Sequence, residues 1–192
     1  MIKVDAPRFD LDECKNASER EFIELLHARA EAGGWFADSW PREDRFILSV
    51  CPSDPRYNCV LRTLRVDFDR VTASFGPDET HQFATDLDPA RADVVALSGR
   101  SPAELASAAA TWLEKETRRP IVRHEWDRPT FRRREWFLED TGEGLGFSDS
   151  ADIGRRHGLG PPDRVVRLDG RGESPEAPGI AEGTASSEDL RP

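Results

Sequence analysis

The sequence has few cysteines and no long apolar run, and these two shortages exclude several classes of protein. Its 192 residues include three cysteines, Cys14, Cys51 and Cys59, which cannot complete a disulfide framework and form no Cys-x-x-Cys pair. No segment approaches the roughly 20 apolar residues that a membrane-spanning helix needs, and the N-terminus lacks the apolar run of a signal peptide. We therefore predict a cytoplasmic protein that does not associate with a membrane.

Motifs for catalysis, phosphate binding and metal binding are also missing. The sequence contains no G-x-S-x-G, P-loop or dinucleotide fingerprint. His124 and Glu125 are neighbours in a predicted strand, so their side chains point to opposite faces and cannot share a proton. Cys51, Cys59 and His81 could bind a metal only if three strands happened to align. We predict no catalytic residue, no cofactor and no metal site, and enzymatic activity is the less favoured interpretation.

The charge is negative overall but positive in one segment. A formal net charge of −10 argues against a nucleic-acid-binding protein, which usually carries a basic excess. Residues 118–134, however, contain seven arginines against two acidic residues, a local charge of +5. Because such asymmetry can steer an oppositely charged molecule to one face, the sequence predicts an acidic protein partner.

Two amphipathic helices are predicted. The first begins at Ser18, which has capping-box spacing with Glu21, and ends at a pair of glycines. The second has Ser101 as its N-cap, a proline at its first position and a capping box with Glu104, and it ends before Pro120. The predicted buried stripes are Phe22, Leu25, Leu26, Arg29 and Ala30 in the first helix, and Leu105, Ala108, Ala109, Trp112 and Leu113 in the second.

Alternating apolar residues predict the strands. Two of them, at residues 59–68 and 71–75, form a hairpin, and a third lies at residues 45–51. Residues 79–85 and 94–97 have weaker strand patterns. The aromatic-rich residues 35–40 are interpreted as a loop that covers the core, and residues 86–93 as a solvated acidic loop.

A second hairpin, at residues 120–138, combines a strand pattern with aromatic residues and positive charge. A turn at residues 127–130 pairs Arg123 with Arg134. Arginine and tryptophan are enriched where interfaces concentrate their binding energy, which favours a recognition surface. The alternative is a solvated edge ribbon whose charge blocks aggregation. The predicted partner-binding residues are Arg123, Trp126, Arg132, Arg133 and Arg134.

Residues 148–192 lack aromatic residues and are rich in Gly, Pro and Ser. Such a composition cannot bury enough apolar surface to offset chain entropy, so we predict a single α+β domain at residues 1–147 and a disordered acidic tail. Within the tail only residues 164–168 have the pattern of a short strand, and deleting residues 150–192 is expected to leave the thermal midpoint nearly unchanged. The predicted domain has an antiparallel sheet of about five to six strands, with both helices packed on one face.

Phe75 and Gly76, the following segment Glu79-Thr-His-Gln-Phe83, the second helix and the Arg/Trp hairpin resemble small actinobacterial α+β proteins over residues 70–140. Some of those proteins are predicted to be immunity or accessory proteins of toxin systems. The resemblance implies a non-enzymatic protein-binding protein, acting as an immunity-type inhibitor or accessory factor. The alternative is a small-molecule-binding protein or enzyme with a pocket between the sheet and residues 35–40.

Overall fold

A computed structural model describes residue 9 and residues 11–78, 85–150, 159–169 and 172–173. These residues form two five-stranded antiparallel sheets, a two-stranded ribbon and two α-helices. The strand predicted at residues 79–85 lies outside the described residues except for its last position. None of the described helices has the length and apolar character needed to cross a membrane.

The helices are α1 (Ala17–Gly33) and α2 (Pro102–Thr117), and a short 3-10 helix at Leu11–Glu13 precedes α1. In chain order the described strands are β1 (Asp38–Pro41), β2 (Phe46–Val50), β3 (Ser53–Asp54), β4 (Cys59–Val60), β5 (Leu64–Phe68), β6 (Thr72–Pro77), β7 (Val95–Ser98), β8 (Ile121–Arg128), β9 (Phe131–Leu138), β10 (Gly144–Asp149), β11 (Arg164–Asp169) and β12 (Gly172–Glu173).

The first sheet has the order β1-β2-β5-β6-β7, and both helices pack on one of its faces. Alternate residues of its strands point to the helices, as the period of two requires. Phe22 of α1 stacks on Phe68 of β5 with ring centroids 4.1 Å apart. This sheet with its two helices confirms the predicted α+β class. The core between them includes Leu26, Ala30, Phe46, Leu48, Val66, Phe75, Leu105, Ala109 and Leu113.

The predicted helix ends are correct for α2 and wrong by two residues at the start of α1. The side chain of Asn16, instead of Ser18, caps α1 by accepting a hydrogen bond from the backbone N–H of Glu19 at 3.0 Å. Asparagine and serine are comparable N-caps, so the spacing of Ser18 alone could not identify the first residue. The left-handed conformation of Gly34 ends α1, and the predicted capping box of α2 is present.

The second sheet has the order β10-β9-β8-β11-β12. The arginine-rich hairpin supplies its middle strand, β8, and the neighbouring strand, β9. Strand β11 contains residues 164–168, the one part of the predicted tail that has the sequence pattern of a short strand. The boundary predicted at residue 147 falls inside β10, so ordered structure continues beyond it, and residues 151–158, 170–171 and 174–192 lie outside the description. A separate apolar core covers one face and contains Leu61, Ile121, Trp136, Leu138, Val166 and Leu168.

The hairpin of β8 and β9 has a different register from the predicted one. Arg128 pairs with Phe131 across a turn of two residues, whereas the sequence predicted a four-residue turn. The register therefore differs by two positions, which places Arg134 opposite Glu125 instead of Arg123. Because side chains alternate along a strand, a shift of two leaves each side chain on its predicted face. The predicted faces are correct and the cross-strand partners are wrong.

Other strands agree with the sequence to different degrees. The strands predicted at residues 45–51, 71–75 and 94–97 are present as β2, β6 and β7, whereas the one predicted at residues 59–68 is divided into β4 and β5. The predicted loop at residues 35–40 contains the start of edge strand β1. Trp35 in this segment packs in the first core and is 6% exposed, so it contributes to the core directly.

A two-pronged ion pair joins the two helices. Arg29 donates from Nε and Nη2 to the two carboxylate oxygens of Glu114, each at 2.8 Å, and these hydrogen bonds lower the pKa of Glu114. A carboxylate whose pKa is lower in the folded state stabilises the fold above its unfolded pKa of about 4.3, and this contribution is lost as the pH falls through the folded pKa.

We therefore expect Glu114→Gln to cost about 0.5–1 kcal/mol at neutral pH, the range of a partly exposed ion pair, and progressively less as the pH falls below about 4. Urea unfolding at several pH values measures the difference, with the exposed Glu21→Gln of α1 as the control for removing a charge. A cost that is the same at neutral and acidic pH would show that the charge of Glu114 does not stabilise the helix pair.

Candidate functional site

The structure buries most of the residues predicted to bind a partner. Arg123 has no exposed surface, and Arg133 and Trp126 are 3% and 5% exposed. Arg134 is half-buried, and Arg132 alone among the five is exposed. Of the five predicted side chains, only Arg132 is exposed, so the described structure does not place them on one continuous surface. Partner binding by these residues stays a prediction.

Arg123 is buried because two carboxylates neutralise it. Its Nη1 donates to Oδ2 of Asp54 at 2.5 Å, and its Nε donates to Oε1 of Glu125 at 2.7 Å. The indole Nε1 of Trp136, opposite Arg123 in the register, donates to the same Asp54 oxygen at 2.9 Å. A buried charge is tolerated only when it is paired and hydrogen-bonded. We refer to Asp54, Arg123, Glu125 and Trp136 as the buried network.

Tyr57 covers the buried network on its outer side. The guanidinium of Arg123 lies 4.7 Å from the centroid of the tyrosine ring, and the hydroxyl accepts a hydrogen bond from Nε of Arg134 at 3.0 Å. Arg134 also donates to Asp127 at 2.7 Å, which lowers the pKa of that carboxyl. Asp54 and Tyr57 lie far from the hairpin in sequence, so no local pattern linked them to it.

On the face of the β8–β9 hairpin opposite the buried network, carboxylates neutralise Arg133 in the same way. Arg133 donates to Glu135 at 2.7 Å and to Asp149 at 2.5 Å. Trp126 donates its indole N–H to the carbonyl of Gly160 at 3.1 Å. The positive charge counted along residues 118–134 is thus largely balanced in space by carboxylates from other segments. The hairpin is a structural element, held by ion pairs that its own sequence does not reveal.

The remaining titratable candidates do not assemble into a reactive site in the described residues. His124 packs against the rings of Trp126 and Phe137, with centroids 6.0 and 5.0 Å away. His81 lies outside the described residues, and the part of the chain that the structure describes contains no group of three or more potential metal ligands. Cys51 is exposed near the hydroxyls of Ser49 and Thr63.

A second buried arginine lies on the face of the first sheet that points away from the helices. Arg65 donates to both oxygens of Asp67 at 2.6 and 2.8 Å and to the carbonyl of Thr85 at 2.8 Å, and Asp78 lies 3.4 Å from it. Burial raises the pKa of Asp67. Arg65 therefore joins the central strand β5 to the connection between β6 and β7, which is consistent with a structural role.

An open groove runs along α2 on the side that faces away from α1. It has a volume of about 650 Å³. The residues of α2 that line the groove are three or four positions apart, so they form one stripe along the helix. Ala108 and Trp112 of the predicted buried stripe pack against the first core as predicted, but they are only partly buried and also line this groove. The lining residues on α2 are Glu104, Ser107, Ala108, Thr111, Trp112 and Lys115.

The groove has cations at both ends. Arg100 precedes α2 and Lys115 lies in its last turn, and among the described residues neither forms an ion pair. The carboxylate of Glu104 accepts hydrogen bonds from the backbone N–H and hydroxyl of Ser101 at 2.9 and 2.8 Å, which lower its pKa. Its charge is thus used in capping the helix. Two of the three charged side chains along this groove are cations, in a chain whose net charge is −10.

Strand β7 is an edge of the first sheet in the part of the chain that the structure describes, and the short segment from β7 to α2 contains Arg100 of the groove. Val95 of β7 pairs with Phe75 of β6, and the Phe75 ring lies 5.4 Å from that of Trp112 in the groove. Proteins usually protect an edge strand with charge or proline. The opposite edge, β1, contains Asp38 and Pro41, whereas the sequence of β7, Val-Ala-Leu-Ser, contains neither, and Val95 is 37% exposed. We refer to β7 and the stripe of α2 from Glu104 to Lys115, with Arg100, as the edge groove.

No family model, curated protein or solved structure matches this chain. These comparisons therefore lend no support to the resemblance to actinobacterial immunity-type proteins, and the functional argument depends on the geometry of this chain alone. The edge groove was missed because a helical apolar stripe has the same period whether it is fully buried or half-exposed. The absence of charge and proline in residues 95–98 was the one local signal of it.

Proposed function

We propose that this protein binds another protein without catalysing a reaction, and that the edge groove is the binding site. The observation that carries the proposal is the combination of an exposed edge strand without protective residues and a neighbouring groove in which Trp112 is partly exposed. Tryptophan is enriched among the residues that dominate binding energy, and an unprotected strand edge is a template for pairing with another chain.

The charge of the edge groove supports an acidic partner. The hairpin arginines that suggested such a partner are paired within the fold, whereas Arg100 and Lys115 line the open groove. Cations at the rim of an interface increase the rate of association with an oppositely charged molecule. An immunity-type inhibitor or accessory factor would act through such a surface. The three free thiols, Cys14, Cys51 and Cys59, support the predicted cytoplasmic location.

The alternative function, a ligand pocket beneath residues 35–40, is less favoured. The side chain of Trp35 packs in the first core, and Trp40 belongs to β1, which pairs with β2. Small-molecule sites are usually concave cavities that enclose most of their ligand. The groove on α2 is open along one side of a helix, which suits a segment of another chain better than an enclosed small molecule.

Site-specific photo-cross-linking tests the proposal. A benzophenone amino acid is placed at Thr111, which is exposed in the edge groove, or at Arg132, which is exposed at the hairpin. Each protein is irradiated in lysate of cells that express it. We expect a discrete covalent adduct from position 111 and none from position 132, and mass spectrometry should identify an acidic segment at the cross-link.

A blocking substitution provides the control. Ala108→Phe, on the same helical stripe, fills the groove and should abolish the adduct formed from position 111 while the thermal midpoint stays within a few degrees. An adduct formed equally from both positions, or one that survives the Ala108→Phe change in a folded protein, would show that the edge groove is not the binding site.

A further inference from the structure

We infer that the ligand of the edge groove is an extended peptide segment that pairs with β7 as a sixth strand of the first sheet, with an apolar side chain against Trp112 and acidic side chains near Arg100 and Lys115. The inference rests on the proposed function and specifies the binding mode. It depends on three independent features of the groove, namely the backbone of β7, the side chains that face α2, and the distance between the two cations.

The backbone of β7 can accept a new strand. In an antiparallel pair, alternate residues direct their N–H and C=O groups to the existing partner, and the residues between them direct theirs outward. Strand β7 contains four residues, Val95–Ser98, and no described strand lies beyond it in its sheet. Two of these residues therefore present both backbone groups to an incoming chain, which is sufficient for a short segment of added strand.

The side chains next to β7 select an apolar residue. Val95 and Leu97 pair with Phe75 and Ala73, whose side chains belong to the core under the helices, so this face of β7 is the face that α2 covers. A strand added beside β7 directs every second side chain toward α2. The small side chain of Ala108 leaves room on the helix for such a side chain.

The separation of the cations predicts the spacing of acidic residues in the ligand. Arg100 and Lys115 are separated by about 22 Å if the rise of an α-helix, about 1.5 Å per residue, is applied between them. An extended chain covers this distance in about seven residues, at about 3.3 Å each. Side chains on one face of a strand are an even number of positions apart, so acidic residues about six or eight positions apart match the two cations from the same face.

The test uses full-length protein and synthetic peptides as probes. The peptides are capped at both ends and contain about nine residues, with two glutamates about six positions apart, a phenylalanine about two positions after the first glutamate on the same face, and Ser or Thr elsewhere. Fluorescence polarisation measures their affinity. We expect binding that weakens about tenfold when both glutamates are replaced by lysine. In Lys115→Glu, where Arg100 remains positive, the preference between the two peptides should largely disappear, because charge complementarity determines the preferred partner.

Backbone methylation separates strand pairing from other binding modes. Peptides are N-methylated at alternate amides in two complementary sets. Strand addition predicts that one set loses about tenfold or more in affinity and the other retains it, because only alternate amides donate to β7. If neither set loses affinity, or no peptide binds while the cross-link from position 111 persists, the extended-peptide inference is overturned and the proposed function stands. Loss of the cross-link itself would overturn both.

Discussion

Replacing Arg123 with methionine should lower the free energy of unfolding by about 3–5 kcal/mol, the usual cost of removing one partner from a buried ion pair. The substitution retains an apolar stem of similar length but leaves Asp54 buried without this cation. It also removes the closer of two arginines that face Glu125, the other being Arg134 at 3.7 Å. Asp54 would keep its hydrogen bond from Trp136, which cannot neutralise its charge. Chemical denaturation monitored by tryptophan fluorescence measures the loss.

The neighbouring arginine of the same hairpin provides a matched control. The side chain of Arg132 is 77% exposed and lies 3.8 Å from its nearest acidic partner, so Arg132→Met should cost less than about 1 kcal/mol. In addition, Asp54→Asn combined with Arg123→Met should cost less than the sum of the two single changes, because the residues belong to one network. Equal costs for Arg123→Met and Arg132→Met would contradict the buried network.

Removing β11 should be comparably destabilising. A chain that ends at residue 158 lacks Val166 and Leu168, which are buried in the second core, and each buried aliphatic side chain contributes roughly 1.5–3 kcal/mol. The truncation also removes Gly160, the hydrogen-bond acceptor of the Trp126 indole, and leaves β8 with an unpaired edge. The expected total loss is about 3–6 kcal/mol, which replaces the sequence-based expectation that deleting residues 150–192 has little effect.

A second truncation identifies the segment responsible. A chain that ends at residue 173 keeps β11 and should retain the stability of the full chain within about 1 kcal/mol, because the composition of the residues that follow offers few apolar side chains for burial. Thermal and urea unfolding of the two truncated chains and the full chain give the comparison. If the chain ending at residue 158 is as stable as the one ending at residue 173, β11 does not contribute to the fold.

The elements that the sequence predicted well are those encoded by neighbouring residues. The capping box of Ser101 and Glu104 involves residues three positions apart, and the alternation of β2 and β6 involves residues two apart. Local hydrogen bonds and periodic burial operate at this range, so they leave a readable pattern. The register of the β8–β9 hairpin was missed because Pro129 and Thr130 alone form the turn, and nothing in residues 127–130 distinguished a turn of two residues from one of four.

The features that the sequence could not predict depend on residues far apart along the chain. Asp54 lies 69 positions before Arg123, and no local pattern indicates that a carboxylate from a two-residue strand enters the inner face of a later hairpin. An arginine-rich segment has the same composition whether its charges face water or buried carboxylates. The burial of Arg123 and Arg133 was missed for this reason, since charge counted along residues 118–134 ignored Asp54 and Asp149.

The most direct test of the account compares two matched charge reversals against the partner identified by cross-linking. Lys115→Glu changes an exposed cation in the edge groove, and Arg132→Glu changes an exposed cation of the hairpin by the same amount. Titration calorimetry at low salt should show about three- to tenfold weaker binding for Lys115→Glu, the effect of one charge at the rim of an interface, and unchanged binding for Arg132→Glu. Weaker binding for Arg132→Glu with unchanged binding for Lys115→Glu would contradict the edge groove as the binding site.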